Sequence, residues 1–355
     1  MAHKIGDLIK EQAITAGTDD FVFSGALADF LPFSSVLTED GDTTWYNARN
    51  GGEFEIGLGT RLSESSMART RVLKSSNAGA KVYFSAPPVV FCTVPAANAN
   101  GREILTAARI YYVRTDGSDS NTGLANTAGG AFLTLQKASD VIERTLDLAG
   151  QAVTVQVGDG TYTAGVILPN WTGGGSVTFL GNAATPANVL VSATSENCFF
   201  GATPRVWHVN GFKTKTTTSG GHLSVSSGAQ INFSNIDFGV CAGSHISAST
   251  GGRVVALSNF AISGGAQSHV SMSGGAVVRE EGRTITITNT PAFSTAFVYA
   301  RTNSVYEIFS NTFVGSATGS RYNISHNAAI FVNGASITYL PGNAAGFVAT
   351  GAVYG

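Results

Sequence analysis

His222-Leu223-Ser224-Val225-Ser226 is followed by two close copies, His245-Ile246-Ser247-Ala248-Ser249 and His269-Val270-Ser271-Met272-Ser273. Apolar and polar residues alternate in each copy, which is the pattern of a β-strand with one buried face. Glycines follow each copy within a few residues and mark the corners between strands. A strand that returns at a nearly fixed period indicates a solenoid, in which each repeat forms one turn.

A recurring asparagine supports the same repeat. It follows a short alternating segment and returns at intervals between 22 and 30 residues. Asparagine tolerates the left-handed backbone of a tight corner, and stacked amides can hydrogen-bond along a column. We therefore interpret these residues as a structural ladder rather than as ligands. The ladder comprises Asn210, Asn235, Asn259, Asn289, Asn311 and Asn333.

Composition and charge exclude several classes of function. The net charge is −2 and charged residues make up 12% of the chain, without a basic stripe, so nucleic acid is not an expected partner. We expect no membrane insertion and no secretory signal, because neither a long apolar run nor a signal-like N-terminus is present. We also expect no cofactor. The three cysteines, Cys92, Cys198 and Cys241, are too few and too far apart to indicate a disulfide framework.

The chain is predicted to contain three regions. Residues 1–96 have the alternation and turn signals of a small antiparallel β domain. Residues 97–150 form a linker and a cap, with an amphipathic helix at about 134–149 whose N-cap is Thr134. Residues 151–355 form the repeated turns and a C-terminal strand or tail. Since an open solenoid end exposes its core, the helix is expected to cover that end.

Several segments resemble bacteriophage tail spikes and short fibres. Tyr111–Gly123 and Gly129–Ala138 are similar to the opening of their pectate-lyase-like β-helices. Other similar segments lie in the N-terminal region and near the end of the chain: Glu55–Thr60, Ala68–Asn77, Val90–Ala96 and Tyr339–Gly346. The resemblance implies an all-β protein with a right-handed parallel β-helix over about residues 102–355.

The same resemblance implies a function. A phage or prophage spike or fibre of this kind is a homotrimer, attaches to other virion proteins through residues 1–96, and binds a host-surface polysaccharide through its β-helix. Its expected location is the virion, after synthesis in the host cytoplasm without a signal peptide. Two alternatives stay open, namely a depolymerase with a site between subunits and a purely structural virion decoration protein.

Acidic residues bear on the choice between binding and catalysis. Glycoside hydrolysis needs two carboxylates roughly 5–10 Å apart, which in a solenoid means one column on neighbouring turns. Aligned on the asparagines, Glu307 falls beside Ile285 and Ala329, and Asp237 has no acidic partner. Glu280 and Glu281 are consecutive and would face opposite sides of a strand. We therefore expect no carboxylate pair within one chain, and the catalytic residues stay unknown.

The alternation also predicts which other side chains face outward. His222, His245 and His269 are predicted to form an outer column, interpreted as a surface ladder with a metal site as the alternative, whereas His208 is predicted to lie in the core. Trp171 and Trp207 are candidates for glycan binding because exposed aromatic rings combine an apolar face with a polar group. Outward apolar residues are candidates for trimer contacts. They are Ile308, Ile330 and Val332.

Overall fold

The computed structural model describes residues 3–95 and 102–355. The chain divides into two compact units, Met1–Arg102 and Glu103–Gly355. The predicted linker at residues 97–101 lies outside the described residues.

The first unit contains a closed barrel of six strands. Neighbouring strands are antiparallel, and the first strand pairs with the last, so the sheet has no free edge. A short 3₁₀ helix spans Phe33–Ser35. The strands are Lys10–Ala13, Phe21–Ala26, Thr43–Asn50, Glu53–Ser63, Ser66–Ser75 and Val89–Cys92.

A buried ion pair lies in the barrel interior. The side chains of Glu55 and Arg69 are fully buried, and Arg69 Nε donates to Glu55 Oε1 at 2.8 Å while Nη2 contacts Oε2. Tyr46 Oη and the backbone N–H of Val82 also donate to this carboxylate, at 2.6 and 2.7 Å. Burial alone would raise the pKa of Glu55, but these donors hold it below its usual value. The network therefore keeps a charged pair stable in the core.

The second unit is a β-solenoid of about eight turns, built from three parallel sheets. Sheet 1 contains Arg109–Val113, Ala152–Val157, Ser176–Leu180, Val206–Asn210, Gln230–Ser234, Arg253–Ala256, Val277–Arg279, Val305–Glu307, Ala329–Phe331 and Val353–Tyr354. Sheet 2 contains Gly160–Tyr162, Val189–Ser195, Lys213–Ser219, Asp237–Phe238, Phe260–Ile262, Thr284–Ile287 and Thr312–Val314. Sheet 3 contains Val166–Ile167, Phe199–Gly201, Leu223–Val225, Ser244–Ala248, Ser268–Met272, Val298–Ala300, Tyr322–Ile324 and Phe347–Val348. The predicted solenoid is confirmed.

Inward-facing side chains stack in columns and form one continuous core. In sheet 1 a fully buried column passes through successive turns in register: Trp207, Ile231, Val254, Val278, Tyr306 and Ile330. Turns approach closely at the corners, where a β-carbon added at Gly165 would overlap the carbonyl oxygen of Asn197. Close approach of backbones accounts for part of the glycine content.

The predicted helix spans Leu135–Thr145 and packs Leu135, Ala138 and Ile142 into the core of the solenoid. Thr134 Oγ1 accepts from the backbone N–H of Lys137 at 3.1 Å, so the predicted N-cap is confirmed. The helix ends earlier than predicted, because Leu146–Asp147 is extended and pairs with Glu103–Ile104. A 3₁₀ helix spans Pro186–Asn188.

Candidate functional site

The richest surface cluster lies on the outer face of sheet 1, on three successive turns. Arg279, Glu307 and Phe331 are paired in register, so their side chains form one column on that face. Phe331 is 47% exposed, and Arg279 and Glu307 are partly exposed. Because stacked strands lie about 4.8 Å apart, neighbouring side chains of this column are close enough to share one ligand.

Arg279 binds two carboxylates. Its Nη2 contacts Oε1 of Glu281, and its Nε lies 3.5 Å from Oε2 of Glu307. The hydrogen bond to Glu281 and the charges of both carboxylates raise the pKa of Arg279. Oε2 of Glu281 is buried without a hydrogen-bond partner. The cluster thus presents carboxylate oxygens, held by a guanidinium, beside an exposed ring.

A cleft of about 550 Å³ opens beside this column. Glu307, Phe309, Phe331 and Asn333 line it. Small-molecule sites usually have volumes of 300–1,000 Å³ and combine apolar walls with a few polar groups. Two phenylalanine rings, a carboxylate and an amide suit a sugar, whose C–H faces pack on rings and whose hydroxyls bond to oxygen and nitrogen acceptors and donors.

A second cleft on sheet 1, of about 620 Å³, is less suited to a ligand. Its carboxylate, Asp159, already accepts from the side-chain amides of Asn182 and Asn188, at 3.1 and 2.9 Å. Those bonds join neighbouring turns and occupy both carboxylate oxygens. We therefore take the cleft at Glu307 as the candidate site and call it the Phe331 cleft.

The predicted exposure of Trp171 and Trp207 is wrong. Trp207 is fully buried and its Nε1 donates to the carbonyl of Pro169 at 2.9 Å, while Trp171 packs against it and is 4% exposed. The inward residues of this strand are Trp207 and Val209, so His208 lies on the outer face and its predicted core position is also wrong. An alternating strand can bury either its odd-numbered or its even-numbered residues. The apolar Val206 favoured the incorrect choice, in which Val206 and His208 face inward.

Ile308, Ile330 and Val332 were assigned outward for the same reason, and this is wrong too. All three are buried inside the solenoid, so they form no outward apolar surface. The outward residues of these strands are Glu307 and Phe331, which line the Phe331 cleft.

The asparagine column is not one ladder. Asn289 follows Thr284–Ile287, a strand of sheet 2, whereas Asn210 ends a strand of sheet 1. Nδ2 of Asn235 donates to Oδ1 of Asn210 at 2.9 Å, which is the expected amide contact between turns. The left-handed conformation occurs at Asn235, Asn289 and Asn333, with φ of 49°, 63° and 52°. Two of the other asparagines bond to backbone instead: Oδ1 of Asn259 accepts from Thr284 N, and Oδ1 of Asn311 accepts from Arg283 N.

The predicted outer histidine column is wrong as well. His222, His245 and His269 are fully buried in the solenoid. The backbone N–H groups of His269 and Val270 both donate to the carbonyl of Phe297, at 3.0 and 3.1 Å. In each copy the histidine and the residue after it are both buried, so the alternation of inward and outward side chains fails at this corner. Histidines inside the core are not available for a metal shared between subunits, and no group of three or more His, Cys, Asp or Glu in the described residues could hold a metal ion.

The predicted neighbours of Glu307 are also wrong, although neither of its partners in register is acidic. The asparagine alignment placed it beside Ile285, but in the structure it stacks on Arg279, which also holds Glu281. Aligning the strand centres Val278, Tyr306 and Ile330 would have found this cluster. Their spacing is irregular because the turn between Val278 and Tyr306 is longer.

Comparison of the chain with protein-family models, with curated proteins and with solved structures found no significant match. Within the described residues, no helix is long and apolar enough to cross a membrane. The chemistry of the Phe331 cleft therefore carries the functional argument, together with the resemblance noted in the sequence.

Proposed function

We propose that this chain is a spike or short fibre of a bacteriophage particle and that its solenoid binds a polysaccharide on the host surface. The observation that carries the binding proposal is the Phe331 cleft, in which an exposed ring lies beside the carboxylate of Glu307 and the amide of Asn333. Neutral or weakly charged polymers suit this site, because the guanidinium of Arg279 is already bound by two carboxylates.

The phage assignment is supported by the resemblance of Tyr111–Gly123, Gly129–Ala138 and the N-terminal segments. In this proposal residues 1–96 attach to other virion proteins, and the chain forms a homotrimer in the virion. The trimer contacts lie on residues other than Ile308, Ile330 and Val332, since those side chains are buried within one chain.

Binding of the full-length chain to an array of bacterial surface polysaccharides tests the proposal. Phe331→Ala removes the exposed ring and should weaken binding at least about tenfold, which corresponds to about 1.4 kcal/mol. Phe347→Ala is the matched control, because Phe347 is 59% exposed on sheet 3, away from the cleft. It should bind like the unchanged chain.

Two outcomes would contradict the proposal. Absence of binding to every polysaccharide would favour a structural virion protein without a receptor. Equal loss of affinity in Phe331→Ala and Phe347→Ala would place the binding surface elsewhere.

A second candidate function is glycan cleavage, because Glu281 and Glu307 both contact Arg279. Hydrolysis needs two carboxyl groups that can reach the substrate, whereas one oxygen of Glu281 is buried and the other contacts Arg279. Binding is therefore the better-supported function. Release of reducing ends from a bound polysaccharide, abolished in both Glu281→Gln and Glu307→Gln, would establish cleavage instead.

A further inference from the structure

A column of three histidines runs through the core of the solenoid on successive turns. The rings of His222 and His245 stack with centroids 5.0 Å apart and an interplanar angle of 21°. Nδ1 of His245 lies 3.2 Å from Nδ1 of His269. All three side chains are fully buried, so the column has no contact with solvent.

Polar side chains continue the column at both ends. Thr214 Oγ1 lies 2.9 Å from Nδ1 of His222. At the other end Nε2 of His269 lies 3.3 Å from Oε1 of the buried Glu280, and neither atom makes a hydrogen bond. Oε2 of Glu280 accepts from Tyr306 Oη at 2.5 Å. We call this set, from Thr214 to Tyr306, the histidine column.

Backbone carbonyls fix the protons of two histidines. Nε2 of His245 lies 3.0 Å from the carbonyl oxygen of Gly239, and Nε2 of His222 lies 3.3 Å from that of Val240. A carbonyl only accepts, so each Nε2 carries the proton and each Nδ1 is a bare acceptor in the neutral ring. Because Nδ1 of His245 is an acceptor, Nδ1 of His269 must donate the hydrogen bond between the two rings. A second proton, on Nδ1 of His245, would face that N–H and break the hydrogen bond.

We propose that the histidine column makes the solenoid acid-sensitive, so that its middle turns open when protons bind to His222 and His245. Each proton would create a buried cation among aromatic rings and next to another histidine. On His222 the new N–H could donate only to the hydroxyl of Thr214, and on His245 it would face the ring nitrogen of His269. Unfolded turns expose the imidazoles to water, where they accept protons freely. Acid therefore favours the open state.

The electrostatic surroundings support this direction. The titratable groups that face the column are the histidines themselves, Glu280 and Tyr306. Burial lowers the pKa of His222 to about 3, and burial together with the neighbouring histidines holds the pKa of His245 well below its usual value. An unfolded histidine titrates near 6.5. The stability contributed by these neutral rings is thus fully present above about pH 6.5 and is lost as the pH falls towards the folded values.

The column also ends beneath the Phe331 cleft. Glu280 lies between Arg279 and Glu281 in the chain, and Tyr306 precedes Glu307, so the same strands carry the column inside and the cleft outside. Acid opening would therefore weaken ligand binding as well. That consequence rests on the proposed function, whereas the acid sensitivity itself does not.

Denaturant unfolding of the full-length chain between pH 7.5 and 4.5 tests the proposal without any ligand. In a Trp45→Phe background, fluorescence of the buried Trp171 and Trp207 reports on the solenoid. His222→Gln and His245→Gln remove the titrating ring but keep a side-chain N–H donor. His208→Gln is the control, because His208 is a histidine on the outer face of the same solenoid.

Each buried histidine should raise the unfolding constant up to about tenfold for every pH unit below 6.5. His222→Gln and His245→Gln should each remove one such tenfold dependence on pH. His208→Gln should leave the pH dependence of the unfolding constant unchanged. An identical pH slope in all four chains would overturn the proposal. If the Gln variants do not fold, hydrogen exchange in Leu223–Val225, Ser244–Ala248 and Ser268–Met272 decides. Equal protection factors at pH 5 and 7.5, corrected for intrinsic exchange, would overturn it, and selective loss at pH 5 would support it.

Discussion

Tyr306 donates a hydrogen bond to Glu280 on the adjacent turn of the solenoid, and both side chains are fully buried. Burial and the adjacent carboxylate raise the pKa of Tyr306 well above its usual value, so the hydroxyl keeps its proton as a donor. Tyr306→Phe should lower the free energy of unfolding by about 3 kcal/mol, because Oε2 of Glu280 would lose its donor inside the core. Chemical denaturation measures this change.

The control for that variant is Tyr299→Phe. Tyr299 lies on the outer face of sheet 3 and is partly exposed, so this change should cost less than about 0.5 kcal/mol. A similar loss of unfolding free energy in Tyr306→Phe and Tyr299→Phe would show that the buried hydrogen bond does not stabilise the solenoid more than an exposed hydroxyl does.

Arg69→Met should destabilise the barrel by about 3–5 kcal/mol, because Glu55 would remain as a buried charge without its partner. Calorimetry of the full-length chain measures the barrel transition. Arg71→Met, at an exposed position two residues away, is the control and should have a small effect. A barrel transition unchanged by Arg69→Met would mean that the carboxylate is stabilised without the guanidinium.

Thr134→Ala should cost about 1 kcal/mol of solenoid stability, since the hydroxyl caps the helix and also donates to Oδ2 of Asp119 at 2.8 Å. Thr145→Ala is the control at the other end of the helix. Its hydroxyl bonds only back to the carbonyl of Val141, one turn earlier, and its loss should be nearly neutral. Denaturant unfolding measures both changes. Equal losses of stability in Thr134→Ala and Thr145→Ala would contradict the capping role.

Cys198 and Cys241 should resist a thiol-specific reagent at pH 8 while Cys92 reacts. Cys198 and Cys241 are buried, and burial raises the pKa of Cys198 to about 12 and also raises that of Cys241. Since the thiolate is the reactive form, both should react at least about a hundredfold more slowly than in denaturant. Mass spectrometry of labelled peptides measures the rates, and comparable rates at all three sites would contradict the buried positions.

The candidate site shows how far sequence reasoning reached. The sequence marks Glu307 as a candidate acid, but the asparagine alignment gives it the wrong neighbours and does not connect it with Arg279 and Phe331. Asn289 caused the error, because it follows a strand of sheet 2, whereas the asparagines before it end or follow strands of sheet 1. When the corners between strands differ in length, residues that recur at a similar spacing in the sequence do not stack in one column.

By itself the sequence determined the repeat, the parallel strands, the small β domain and the capping helix at Thr134, because these depend on local alternation, glycine and capping chemistry. Only the tertiary structure decided which face of each strand is buried. Alternation has two phases that differ by one residue, and every corner can change the phase. The sequence therefore could not show that the three histidines, Trp207, Ile308 and Ile330 lie in the core. Nor could it show that Glu307 and Phe331 face outward.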